Sequence, residues 1–359
     1  MKILVTGAHF TPALATIEEL KKINGVEVVY VGRKTTLEGD NAQSVESEIL
    51  PSKGIKFIPL VTGRLQRSFT IYTIPSLLKI PIGLIQSFFI VLSEKPDVVL
   101  SFGGYVAVPI VFISWLFSIP IMIHEQTLVS GLANKISSWF ADKIAVSFSG
   151  IFNKEKFILT GNPIREIVMK TKSKKEAVLP TILITGGNQG SHVINLAVEQ
   201  CLERLTRIAG VIHVTGDNRF KDYERLQSNK NNNYTVCKWI DKGWGDVLLQ
   251  ADFVVSRAGI NTLTELAFLG KPALVVPIPY LYQDEQNKNA KYFENLGLAR
   301  ILPQSKLSGE TLFKEIKLML NNLDDLKIKA EQARKVIIPD AAKRLALETV
   351  LLYVEKKKI

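Results

Sequence analysis

Cysteine is nearly absent from this chain, with Cys201 and Cys237 the only two in 359 residues. Two thiols cannot staple a fold of this length, so a disulfide scaffold is excluded and a reducing compartment is expected. The chain opens directly on the strand-like run Lys2-Ile3-Leu4-Val5, without the pattern of a signal peptide, which also fits the cytoplasm. Histidine is as sparse: His9, His124, His192 and His213 stand at no metal-ligand spacing, and no Asp-any-Asp pair follows a strand. No metal is therefore expected, and leaving-group charge must be met by helix termini and hydrogen bonds. The spacing GxGxxG of a dinucleotide fingerprint is missing too, since Gly7 stands alone after the first strand, which argues against NAD or FAD.

Uninterrupted apolar runs are also lacking. Ile74 to Leu92 is broken by Pro75, Lys79 and Pro81, and Val106 to Ile123 is divided by Pro109 and Pro120 into a helix-length piece and a strand-length piece. Both read as core or surface elements rather than membrane spans. The basic residues are not interleaved with aromatics in any nucleic-acid reading module, so that partner class is set aside.

What is present is a folded-protein composition, 47% apolar and 22% charged, in a chain long enough for two domains. The net charge of +11 favours anionic partners such as nucleotide phosphates or an anionic membrane. Short β-branched runs alternate with longer amphipathic ones: Ile3 to Val5, a helix over Pro12 to Lys22, Val26 to Val31, Asp97 to Leu100, Ile119 to His124, a helix over Gly131 to Phe140, and Lys143 to Ser147. The rhythm restarts at Thr181 to Thr185, after the lysine-rich connection Lys170 to Glu176. It continues through Val211 to Thr215, Tyr234 to Lys238, Phe253 to Ser256 and Ala273 to Pro277, with helices after Gly190, Thr262 and Asp284. The expected class is α/β, with two doubly wound, Rossmann-like domains facing a ligand cleft. The expected boundaries are 1–163 and 164–340. A last amphipathic helix over 341–359, with Leu345, Leu347, Val350, Leu351 and Val354 on its apolar face, is expected to pack back on the first domain.

Chemistry-bearing residues collect where strands end. Thr6-Gly7-Ala8-His9 follows the first strand, with Pro12 suited to a helix start. Gly103-Gly104-Tyr105 opens another helix and lets a phosphate or lipid head group approach the backbone. His124-Glu125-Gln126-Thr127 puts a carboxylate and an imidazole where a general base would sit, although such residues also cap helices. In the second half, Gly186-Gly187-Asn188-Gln189-Gly190 can cradle a diphosphate. Arg257-Ala258-Gly259-Ile260-Asn261-Thr262-Leu263-Thr264-Glu265 offers amides and hydroxyls for a leaving diphosphate and a carboxylate for ribose hydroxyls. Gln283 to Asn287 supplies amides and carboxylates suited to sugar hydroxyls.

In this order and spacing, these motifs together with Gly161-Asn162-Pro163-Ile164-Arg165, Asn134-Lys135 and Gln286 with Asn289-Ala290 resemble the GT-B glycosyltransferases over nearly the whole chain. Within them the match is to the enzymes that convert undecaprenyl-pyrophosphoryl-MurNAc-pentapeptide into its GlcNAc-MurNAc form. The resemblance implies inverting, metal-independent transfer of GlcNAc from UDP-GlcNAc to the MurNAc 4-hydroxyl. That is a step of peptidoglycan synthesis, and so of cell-wall growth and division, performed by a peripheral protein at the cytoplasmic face of the membrane. The same fold acting on another lipid, such as a diacylglycerol, and a catalytically silent sugar-nucleotide binder are the alternatives. By the resemblance, His9 and Glu125 lie near the acceptor and either can take the proton. Gly103, Gly104 and Tyr105 bind the acceptor. Donor contacts fall on Thr6, Gly7, Thr127, Arg165, Asn188, Gln189, Gly190, Ile240 for uracil, Gly259 through Leu263, Thr262 and Thr264 for the diphosphate, Glu265 for ribose and Gln286 for GlcNAc. The chain departs from the family pattern at Leu4, Val5 and Ala8, where glycines are usual, and at Thr127, Asn188 and Glu285.

Ile49 to Ser93 holds Lys53, Lys56, Arg64, Arg67 and Lys79 but no acidic residue, beside Leu77, Leu78, Ile80, Ile82, Leu84 and Ile85. Basic and apolar residues in one segment suit an anionic membrane interface.

Overall fold

A computed structural model describes residues 1–35, 44–63, 73–149, 155–171, 179–187, 190–229, 231–240 and 243–358. The chain divides into two compact units, Met1–Arg165 with Ile338–Ile359, and Glu166–Ile337.

The first unit runs β1 (Lys2–Thr6), α1 (Phe10–Leu20), β2 (Glu27–Gly32), α2 (Val45–Ser52), β3 (Lys56–Pro59), α3 (Thr73–Glu94), β4 (Val98–Ser101), α4 (Ala107–Leu116), β5 (Ile121–Glu125), α5 (Leu132–Ser137), β6 (Lys143–Val146) and β7 (Phe157–Leu159). The second runs α6 (Glu166–Met169), β8 (Thr181–Thr185), α7 (His192–Thr206), β9 (Gly210–Val214), α8 (Asp222–Leu226), β10 (Tyr234–Cys237), α9 (Trp244–Gln250), β11 (Phe253–Ser256), α10 (Ile260–Phe268), β12 (Ala273–Val275), α11 (Glu285–Asn295), β13 (Ala299–Ile301), α12 (Gly309–Asn321) and α13 (Leu323–Ala333). The chain closes on α14 (Ala341–Lys357), which belongs to the first unit.

Both sheets are parallel, in the orders β3-β2-β1-β4-β5-β6-β7 and β10-β9-β8-β11-β12-β13. Parallel strands are buried on both faces, which is why they read as continuous apolar runs. Alternate residues of β1 go to opposite faces. Ile3 and Val5 join Tyr30, Leu100, Ala13 and Ile17 on one side, and Leu4 joins Val31, Val99 and Ile110 on the other. In the second unit Ile182, Ile184, Phe253 and Val255 pack on Val198, Leu202, Leu312 and Ile316 of α7 and α12.

Several expectations are corrected. The strands β3, β7 and β13 are additional to those read from the sequence. The helix expected over Gly131 to Phe140 is the shorter α5, and α10 begins at Ile260 rather than after Thr262. Most changed is α14, whose packing face is Ala341, Ala342, Leu345, Ala346, Thr349 and Leu352, while Leu347, Leu351 and Val354 point to solvent. Small residues win that face because they let the helix lie close against α1, so Leu345, Ala346 and Leu352 join the core of the first sheet. No helix among the described residues is long and apolar enough to cross a membrane. The basic residues Arg64 and Arg67 lie outside the described residues.

Candidate active site

In the first unit three loops at the C-terminal ends of the strands lock together. Ala8 N donates to Gly103 O at 2.9 Å, and a Cβ at Gly104 would lie 2.4 Å from that of Ala8. Gly7, at φ +147, lies so close to Phe102 that a Cβ would sit 2.8 Å from its carbonyl carbon, and Gly103, at φ +69, leaves no room for one beside Asn134. The fully buried Tyr30 hydroxyl donates to Gly7 O at 2.9 Å and supports the first loop from below. Thr6 is fully buried at the end of β1, and Tyr105 is half-buried at the start of the turn into α4.

Glu125 ends β5 and is 3% exposed. Its Oε1 accepts from Thr127 N at 3.2 Å, and its Oε2 accepts from Ser130 Oγ at 2.8 Å and Asn134 Nδ2 at 3.0 Å. The Thr127 hydroxyl stands between Glu125 Oε1 and the Val129 carbonyl, at 2.9 and 2.6 Å, so its one proton serves one of them at a time. Glu125 is thus committed to tying β5, the loop after it and α5 together. His9 differs. It is the N-cap residue of α1, and its ring makes no side-chain hydrogen bond among the described residues. Burial, then the Arg33 charge, lowers its pKa to about 4, so it is a neutral imidazole near pH 7. His124, by contrast, is buried with Nε2 at 3.2 Å from Gly161 O and 3.3 Å from Ser147 Oγ, and burial lowers its pKa to about 4.

In the second unit the named residues again follow strand ends. Gly190, at φ +71, closes the turn after β8 so tightly that a Cβ would sit 1.8 Å from Thr215 O. Asn188 and Gln189 of that turn lie outside the described residues. Gly259 caps α10 with open space around its Cα. The first intrahelical bond, Leu263 N to Gly259 O at 3.0 Å, leaves the amides of Ile260, Asn261 and Thr262 ahead of it. That is the geometry of an anion site. Thr262 is half-buried on this first turn, whereas Thr264 is 2% exposed and its hydroxyl donates to Ile260 O at 2.8 Å. That bond holds the Thr264 hydroxyl within its own helix, so meeting a phosphate would require it to rotate. Leu263 is likewise fully buried and offers no side chain.

Gln286 Oε1 accepts from Ile278 N at 3.0 Å, which fixes the side chain and turns its amide nitrogen the other way. Asn289 Nδ2 donates to Ala258 O at 3.2 Å, and Arg257 Nη1 to Val276 O and Gln304 Oε1 at 2.9 and 2.8 Å, so the turn between β11 and α10 is braced on both sides. Glu265 is 3% exposed, and Ile240, half-buried, follows β10. Arg165, half-buried, is the last residue of the first unit's leading segment. Sequence reasoning missed Trp244, whose Nε1 donates to Glu265 Oε2 at 3.2 Å, because nothing in its spacing marks it.

Residues 5–146 match the glycosyltransferase family 28 N-terminal domain, and residues 181–345 the glycosyltransferase family 28 C-terminal domain. A relative from Bacillus thuringiensis (strain Al Hakam) is 34% identical over 96% of this chain and 97% of its own length. It is named UDP-N-acetylglucosamine--N-acetylmuramyl-(pentapeptide) pyrophosphoryl-undecaprenol N-acetylglucosamine transferase 2. The chain belongs to glycosyltransferase family 28. A Clostridium kluyveri member named for the same transfer is 33% identical over 88% of this chain and 90% of its own. The crystal structure of MurG from Acinetobacter baumannii superposes with a TM-score of 0.71 at 25% identity, covering 98% of this chain and 99% of that one. This family 28 chain is therefore a glycosyltransferase of the GT-B fold, built from two Rossmann-like domains.

Proposed function

We propose that this enzyme transfers GlcNAc from UDP-GlcNAc to the 4-hydroxyl of MurNAc in undecaprenyl-pyrophosphoryl-MurNAc-pentapeptide, the lipid I to lipid II step of peptidoglycan synthesis. The observation that carries this reading is identity of 34% across 96% of the chain with a relative named for that transfer. In the second unit, the amides at the start of α10 and the Thr262 hydroxyl receive the diphosphate, Glu265 the ribose, Ile240 the uracil and Gln286 the GlcNAc. In the first unit, the turn of Gly103, Gly104 and Tyr105 receives the acceptor.

The base is His9. The acceptor hydroxyl attacks the anomeric carbon, its proton passes to the neutral imidazole, and the bond from that carbon to the UDP oxygen breaks with inversion. Charge gathering on the departing diphosphate is met by the start of α10. Glu125 holds the surrounding loops, because acting as a base would require it to surrender hydrogen bonds it already accepts.

The enzyme works on the cytoplasmic membrane surface through α3. Leu78, Ile82, Ile85, Phe89 and Leu92 form one outward stripe along that helix, each at least 47% exposed. Phe88 packs on Phe117 at 5.6 Å, which extends the patch to the exposed Trp115, Leu116 and Phe117 at the C-terminal end of α4. An apolar patch of this kind beside Lys79, in a segment free of acidic residues, supports contact with anionic lipid. An acceptor panel tests the reading: with UDP-GlcNAc, lipid-linked MurNAc-pentapeptide is glycosylated and diacylglycerol is not. The reverse result would move the enzyme to another lipid pathway.

A further inference from the structure

Glu265 is a carboxylate buried at 3% exposure, and a group of that kind must be aimed by its neighbours if it is to meet a ligand in one orientation. One such neighbour is the indole of Trp244, whose Nε1 lies 3.2 Å from Glu265 Oε2. An indole nitrogen only donates, so the interaction has a single sense, with the Glu265 carboxylate accepting.

The helix that carries this indole is held at both ends. It starts from Gly243, in the left-handed region at φ +83, and its first turn lies flush on α6. A Cβ at Gly245 would stand 2.2 Å from both Ile167 O and Thr171 Oγ1. At its far end the buried Lys271, just beyond α10, donates to Leu249 O at 2.8 Å and Ala251 O at 2.7 Å. The first anchor holds α9 on α6 and the second ties its C-terminal end to the turn after α10, and together they fix the direction of the indole N–H.

Resting on the reading of this unit as the UDP-GlcNAc site, we infer that Trp244 is a positioning residue that aims the Glu265 carboxylate at the ribose hydroxyls. Its contribution is confined to ligands that carry the ribose diol. A tryptophan that merely filled space would affect every uridine diphosphate alike.

Calorimetric binding of UDP and of 2′,3′-dideoxy-UDP to the full-length protein separates these cases, with melting temperature monitoring the fold. Wild type prefers UDP. In Trp244→Phe the affinity for UDP falls about tenfold while that for the dideoxy analogue stays within about twofold, as expected for losing one hydrogen bond to a charged group. The KM for UDP-GlcNAc rises in parallel and kcat is little changed. Trp244→His, which keeps a ring N–H, regains part of the preference and serves as the second variant should the phenylalanine form fold poorly. Equal loss for both ligands, or loss for neither, overturns the role of Trp244 while leaving the donor site intact. Wild type binding both ligands equally would instead overturn the ribose assignment of Glu265, and this inference with it.

Discussion

The Asn134 side chain donates its Nδ2 to Glu125 Oε2 at 3.0 Å and rests its Oδ1 where a Cβ on Gly103 would have to go, 2.4 Å away. One amide thus welds the turn after β4 to the end of β5. The hydrogen bonds that Glu125 accepts hold it within this scaffold, which is the ground for proposing His9 as the base.

Substitutions at the two residues should therefore separate. His9→Ala lowers kcat by about 10²–10⁴-fold, the usual contribution of a general base, with little change in melting temperature. Glu125→Gln turns one acceptor into a donor facing donors and costs about 1–3 kcal/mol of stability. Kinetics and thermal melts on both variants check this, and a fully stable but inactive Glu125→Gln would reverse the assignment.

The same burial sets a pH response. His9 and His124 have pKa values lowered to about 4 and His213 to about 3, all chiefly by burial, against an unfolded value near 6.5. The unfolded chain binds protons first, so stability is full above about pH 6.5 and falls as pH drops toward 4. Denaturant titrations from pH 8 to 4 should show that decline. The acid limb of kcat/KM is expected near pH 4, provided the fold survives, and a limb at the ordinary histidine value would contradict a desolvated neutral base at the half-buried His9.

Two threonines two residues apart on α10 should behave differently. Thr262→Val raises the KM for UDP-GlcNAc by about tenfold, the worth of a hydrogen bond to a charged group. Thr264→Val leaves KM nearly unchanged, since its hydroxyl already donates to Ile260 O. Equal effects on KM would show that Thr264 rearranges to meet the diphosphate.

Ile85→Asp with Phe89→Asp places two negative charges on the outward stripe of α3, where both side chains are about 60% exposed. Binding to vesicles rich in anionic lipid should drop by at least about tenfold, from lost apolar burial and added repulsion. Turnover of a water-soluble acceptor should remain. Unchanged sedimentation with vesicles would remove α3 from the membrane contact.

Much of this architecture was legible because parallel strands advertise themselves. Thr181–Thr185 and Phe253–Ser256 were delimited to the residue, since their continuous β-branched and aromatic runs end at glycine turns. The strands β3, β7 and β13 are three or four residues long at or near sheet edges, where partial exposure dilutes the apolar signal. Helix α14 misled for a related reason. Its leucines and valines at 347, 351 and 354 mimic a core stripe, while alanines do the close packing. In the site, positions after strand ends were readable from glycine turns and hydroxyl runs. The commitments of Glu125, Thr264 and Trp244 were not, because they depend on partners that only the folded chain brings within reach.

The most direct trial is to incubate the purified enzyme with labelled UDP-GlcNAc and a soluble lipid-linked MurNAc-pentapeptide analogue in the presence of EDTA, and to follow the label. Transfer to a β-linked GlcNAc-MurNAc disaccharide at an undiminished rate is the expected result. Label that stays on UDP-GlcNAc with and without added divalent metal, although the nucleotide binds, would contradict it.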